Sequence, residues 1–193
     1  MTREFAIDTA ARYFDTGSFA RDLAELVGFE TESQTPDKAA ELPRYLEQAL
    51  VPRLSAIGFT CNIHPNPAKN AGPILVAERI EDEALPTILS YGHGDVIRAQ
   101  TDQWRDGLHP FQLVDEGDRL YGRGTADNKG QHLINIAALG AVIEVRGSWV
   151  QCPLSDRDRR GNRLSRLGRV LRGKQEHPDS RRSDRLGWPA PAI

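Results

Sequence analysis

Two glycine-framed segments constrain this chain more than anything else in it: YGHGDV, beginning at Tyr91, and YGRGTADNKGQ, beginning at Tyr121. The first follows the apolar run Thr87-Ile88-Leu89, which predicts a buried strand through Tyr91. The second opens the apolar segment Leu133 to Val145, which predicts a helix. Doubly wound sheets build their sites just beyond the carboxyl ends of their strands. A His-Gly-Asp at a strand end and an Asp at a helix start are two such places. Gly92 and Gly94 let the backbone turn sharply around His93. His93 and Asp95 are two positions apart, so in extended chain both side chains point the same way. One can bind a metal while the other holds the imidazole from behind. The two oxygens of Asp127 can each take one metal ion. Two metals roughly 3.5–4 Å apart can activate a water and clamp a tetrahedral intermediate. The pair therefore reads as half of a metal site.

Each residue also has a plainer explanation. A histidine among glycines is a common turn residue. An aspartate ahead of an apolar run can simply cap the helix. Gly122-Arg123-Gly124 could form a phosphate loop, but it lacks the third glycine of that motif. His109 and His132 read as structural or exposed, and His64 and His177 have no partners nearby in sequence. Asp115-Glu116-Gly117-Asp118 reads as a solvated hairpin turn.

The rest of the N-terminal part supplies a framework for such a site. Arg3 to Asp15 predicts a helix, with Phe5, Ala6 and Tyr13 on its apolar face and Gly17 ending it. Ser18 is placed to cap a second helix through Leu26. A third helix is expected from about Asp37 to Ile57, with Leu42, Leu46, Ala49, Leu50 and Leu54 on one face. Pro43 and Pro52 should kink or break it. Phe59 to Ile63, Ile74 to Ala77 and Thr87 to Tyr91 predict strands. Helices and strands in this order suggest an α/β sheet.

Charge divides the chain. Met1 to Gly147 holds 14 Lys+Arg against 22 Asp+Glu, a balance of −8, whereas Ser148 to Ile193 holds 11 against 5, a balance of +6. The expected organisation is a partial catalytic domain over 1–147 and a basic tail over 148–193. Cys61 and Cys152 are too few for a disulfide framework. The charged N-terminus does not resemble a signal peptide, and no apolar run reaches membrane-spanning length. A soluble cytoplasmic protein is the expectation.

Taken together, GHGDV at a strand end, WRDGLHPF from Trp104, and GDRLYGRGTADNKG leading into a helix closely resemble one family. These are the co-catalytic zinc metallohydrolases that include acetylornithine deacetylase, succinyl-diaminopimelate desuccinylase, glutamate carboxypeptidase, aminoacylase and the carnosinase-like dipeptidases. The resemblance covers roughly Ser18 to Arg146. It implies the N-terminal part of a three-layer α/β catalytic domain and hydrolysis of a peptide or N-acyl amide bond. It implies Zn2+, two per site, with Co2+ or Mn2+ as substitutes, and a small peptide or N-acyl amino acid as substrate. It makes His93 a ligand of one metal, Asp127 the bridging carboxylate and Asp95 the catalytic-site carboxylate that orients His93. The Asp127-Asn128 peptide bond is implied to be cis, and Trp104, Pro110 and Phe111 to be packing and loop residues. A full-length parent would add a lid or dimerisation domain, and with it a homodimer. The rival class is a binding or interaction domain that keeps the fold without the chemistry; details of DNKG and GRGTADN lean towards the peptidase side.

After Gly147 the family pattern stops. The adjacent glutamates of a GEE-x-GS-type segment, the SDG-type aspartate and a late histidine do not occur. The tail has three readings. It is a disordered basic extension, a nucleic-acid-binding arm, which its lack of interleaved aromatics disfavours, or family sequence translated in a shifted frame. Codons CGG CGA GGA AAC CGG CTC TCC CGG for Arg159 to Arg166, read from the second base, give GEETGSP and the start of a glycine. The same shift lets Ser148 to Asp158 read AGFNVRFLIE and Arg182 to Pro189 read through VLIASDG. Trp149 and Trp188 have one codon each, and both compel glycine in that frame. The shifted frame is favoured, so no nucleic-acid or membrane partner is expected, and the chain is read as an inactive fragment.

Overall fold

The structure, a computed structural model, describes residues 3–68, 71–82, 84–146 and 154–156. Two helices open it, α1 (Arg3–Asp15) and α2 (Ser18–Gly28). Gly17 joins them in the left-handed region at φ 72° and occupies the N-cap position of α2. Ser18 does not cap the helix as its sequence position suggests. Its Oγ accepts from Arg21 at 2.8 Å and lies 3.0 Å from Thr16 Oγ1. The cap falls to the residue that can adopt a positive φ without strain.

The helix expected from 37 to 57 is present in pieces. A 3-10 turn at Pro36–Lys38 leads to α3 (Glu41–Tyr45), a π-helical stretch (Leu46–Leu50) and α4 (Val51–Ala56). Pro43 falls in the first turn of α3, where no backbone donor is required of it, and Pro52 lies where the π-helical stretch gives way to α4. Leu42, Leu46, Ala49, Leu50 and Leu54 are all buried, as their spacing predicts.

The main sheet has strand order β1-β2-β6-β3, from β1 (Thr60–His64), β2 (Ile74–Glu78), β3 (Ser90–Gly92) and β6 (Leu154–Asp156). β1 and β2 pair antiparallel from Thr60↔Glu78 to His64↔Ile74. β6 lies antiparallel to β2 and parallel to β3. In β2, Ile74, Leu75, Val76 and Ala77 are all buried, the pattern of a strand covered on both faces. A separate hairpin joins β4 (Val114–Asp115) to β5 (Leu120–Tyr121), with Gly117 at φ 81° in its turn. α5 (Lys129–Arg146) packs against α1 and α2. Its Leu133 and Ile136 join Leu23, Leu26, Val27, Tyr45, Leu75 and Ala77 in one core.

One expectation changes here. Ile88 and Leu89 are not buried; they are 51% and 52% exposed, and the described strand is Ser90–Gly92. Among the described residues, β3 stands at the edge of the sheet. The first compact unit runs to Arg159 and includes β6. The expected character of the tail otherwise lies outside the described residues, as do Cys152 and His177. Among the described residues, no helix is long and apolar enough to cross a membrane.

Candidate metal centre

His93 leaves the carboxyl end of β3 with its ring between two carboxylates. Nδ1 lies 3.2 Å from Asp95 Oδ1 and 3.1 Å from the Asp95 carbonyl oxygen. Nε2 lies 2.8 Å from Asp127 Oδ1, although 34 positions separate the two residues. The His93 and Asp95 side chains are 12% and 10% exposed, whereas Asp127 is 53% exposed. The ring is thus supported from the protein side by Asp95 and presents its other nitrogen to the open side beside Asp127. The hydrogen bond to Asp95, helped by the charges of Asp95 and Asp127, raises the His93 pKa to about 9 despite burial. In the metal-free chain at neutral pH both ring nitrogens therefore donate.

The loop around Asp95 is held by its neighbours. Val96 N–H donates to Thr31 O at 2.9 Å, Ser33 N–H to Val96 O at 3.1 Å, and Thr31 Oγ1 to Gly94 O at 2.6 Å. Asp127 sits in the turn that enters α5. Gly124 takes φ 87° there, and a Cβ on Gly130 would lie 1.9 Å from the Thr125 carbonyl oxygen. Glycines at both positions let the backbone fold tightly enough to bring Asp127 to the histidine. Asn128 Oδ1 accepts the His93 N–H at 3.2 Å, which ties the His93 and Asp127 segments directly. The Asp127-Asn128 bond is cis, as the family resemblance implies.

A buried polar layer lies behind this surface. His132, which sequence allowed to be structural or exposed, is buried. Its Nδ1 is 2.8 Å from the Tyr45 hydroxyl, and the two rings stack with centroids 6.1 Å apart. Burial, and then the charges of His93 and Lys129, lower its pKa to about 3, so it is neutral. Lys129 is also buried. Asn128, Lys129, His132 and Tyr45 were not singled out as site residues from the sequence. DNKG was visible as a motif, but what each member touches depends on contacts with residues up to 100 positions away.

Other readings resolve against this frame. The Arg123 guanidinium donates to Ala99 O at 2.8 Å and lies over the Trp104 ring at 5.4 Å, so Gly122-Arg123-Gly124 packs inward and is no phosphate loop. Trp104 Nε1 donates to the same carbonyl at 2.9 Å, and Phe111 is buried. His109 is exposed, and the 115–118 segment forms the expected exposed hairpin turn.

Among the described residues, no group of three or more His, Cys, Asp or Glu side chains is placed to hold a metal ion. The described chain brings together one imidazole nitrogen and one carboxylate oxygen, with a carboxylate behind the imidazole. That donor chemistry fits part of a zinc site.

Known proteins resemble this chain in sequence and fold. Residues 89–148 match Peptidase family M20/M25/M40. Cysteinylglycine-S-conjugate dipeptidase of Corynebacterium striatum is 31% identical over 129 residues, which is 66% of this chain and 27% of that protein. Beta-Ala-His dipeptidase of Mus musculus is 46% identical over 85 residues, 43% of this chain and 16% of that protein. Among solved structures, the dipeptidase Dug1p of Saccharomyces cerevisiae superposes with a TM-score of 0.74 at 21% identity, covering 89% of this chain and 37% of that one. Human carnosine dipeptidase 1 superposes with a TM-score of 0.73 at 24% identity, covering 88% and 38%. At those identities the superpositions establish the fold. Over residues 89–148 the chain is similar to Peptidase family M20/M25/M40, and over the part it shares with these solved structures it has their α/β fold. It spans about a quarter of the length of the first of these curated relatives and less of the second.

Proposed function

We propose that this chain carries part of the metal centre of a hydrolase acting on peptide or N-acyl amide bonds, of the dipeptidase type. The observation that carries the proposal is the 2.8 Å approach of His93 Nε2 to Asp127 Oδ1, with Asp95 on the opposite ring nitrogen. His93 and Asp127 are the metal ligands, and Asp95 holds the imidazole in the ligating tautomer and orientation. A bound zinc pair, or Co2+ or Mn2+ in its place, would supply Lewis acidity for hydrolysis. The Asp127 side chain is half exposed, on the side where a small peptide would arrive. Asp95 and the Thr31 contacts keep His93 from turning away.

The 193-residue chain as written is proposed to lack turnover. Catalytic zinc normally keeps three protein ligands and an open position, and two retained ligands fall short of that. No glutamate follows in the position of the family's general base, so the proton acceptor that hydrolysis needs is missing as well.

Calorimetric titration of the metal-stripped chain with Zn2+ tests the site. Weak binding that disappears in both H93A and D127A supports it. Binding unchanged in both variants would overturn it and favour a non-catalytic interaction domain. Assays with dipeptides and N-acyl amino acids under Zn2+ or Co2+ test the second claim, which clear turnover by this chain would overturn.

A further inference from the structure

Lysine is almost never fully buried unless its amino group is paired. Lys129 is 0% exposed and follows Asp127 by two positions. Its Nζ donates to the Phe29 carbonyl at 2.5 Å. Phe29 is the C-cap residue of α2, where carbonyls left over by the helix collect partial negative charge. Nζ also lies over the Tyr45 ring, 5.3 Å from its centroid. Phe29 and Tyr45 meet edge to face at 5.7 Å, so the amino group enters a corner made by two rings. Along the stem, a Cβ on Gly124 would come within 3.1 Å of Lys129 Cδ. The turn that presents Asp127 therefore wraps the Lys129 side chain.

These contacts join three parts of the fold. Lys129 ties the start of α5 to the end of α2. Asn128, next to it, accepts the backbone N–H of His93. Asp127, next again, meets the His93 ring. Three consecutive residues thus fix one short segment, with a buried anchor at one end and both contacts to His93 at the other.

We propose that Lys129 is a positioning residue for the metal centre: its buried contact with Phe29 sets the place of the Asp127-Asn128 segment against His93. This rests on the reading of His93 and Asp127 as ligands, and one arm of the test does not need metal.

The test uses the 193-residue chain with K129M, which keeps the length of the stem and removes the donor. Amide hydrogen exchange of the metal-free protein reads the His93 N–H that Asn128 holds. Exchange there at least tenfold faster, with the β1–β2 ladder unchanged, is the expected result. Calorimetry with Zn2+ should show affinity at least tenfold weaker. Unchanged exchange at His93 in folded K129M overturns the proposal. If K129M does not fold, K129R replaces it: the charge stays, but the larger planar head cannot repeat the same contact. Faster His93 exchange in folded K129R supports the proposal, and wild-type exchange overturns it. If the wild-type chain binds no Zn2+, the ligand reading fails, and the exchange arm still decides whether Lys129 positions the segment.

Discussion

A Cβ on Gly92 would lie 2.2 Å from Nε2 of His132. The histidine cannot easily yield, because its Nδ1 is engaged by the buried Tyr45 hydroxyl 2.8 Å away. Asn128 Oδ1 would be 3.0 Å from the same added carbon. The G92A variant should therefore be destabilised by about 1–3 kcal/mol, the usual cost of overpacking a tight interior. Urea unfolding measures it. A midpoint equal to wild type would mean that His132 can swing clear.

The two histidines should give the metal-free chain a stability maximum near pH 6.5. His132 has its folded pKa lowered to about 3. Between about 3 and 6.5 the unfolded chain binds the proton and the folded chain does not, so stability falls as pH drops through that range. His93 has its folded pKa raised to about 9. Its contribution is complete below 6.5 and is lost as pH rises towards about 9. Urea midpoints across this range should fall on both sides, H132Q should flatten the acid limb and H93N the alkaline one. A monotonic profile in the wild-type chain would contradict the assignment.

Asp95→Asn keeps the size of the side chain and removes the charge behind His93. Zinc affinity should drop about 10–100-fold, the usual effect of losing a carboxylate that supports a histidine ligand. Circular dichroism should stay that of the wild-type chain. Calorimetry gives the affinity, and an unchanged value would show that the Asp95 carbonyl alone orients the ring.

Removing one base near the codons for Arg146 to Ser148 should restore GEETGSPG and SDG together. The nucleotide sequence across Gly147 is the first check, and a stop codon soon after the shift would defeat the idea. The restored protein should hydrolyse dipeptides or N-acyl amino acids with Zn2+ or Co2+. In it, Asp127→Ala should abolish activity, because one carboxylate is then lost to both metals.

Local pattern made much of this fold legible. The apolar spacing of α1 placed it at Arg3–Asp15, where it is found. The Ile74 to Ala77 run announced a strand, and the glycines around His93 and Asp127 announced the turns. What stayed hidden was decided by distant neighbours. Nothing near Ile88 and Leu89 told that both side chains would be left exposed just ahead of β3. Nothing in the sequence marks Lys129 as buried, because its partner, Phe29, is 100 positions away. Tyr45 and His132 lie 87 positions apart, and neither signals the other in sequence. Pairing across the sheet is equally silent: β6 enters between β2 and β3 only because α5 has carried the chain back.

That insertion sets an order on synthesis. As the chain leaves the ribosome, β1 and β2 can pair as soon as Glu78 has emerged. β3 emerges next, but its neighbour in the sheet is not β2, and its described partner is not made until Asp156. For the whole time in which residues 93 to 153 are being added, β3 waits for β6. The segment bearing Asp127 is complete before that pairing forms, so its contacts with His93 can be made before β3 is joined to the sheet through β6.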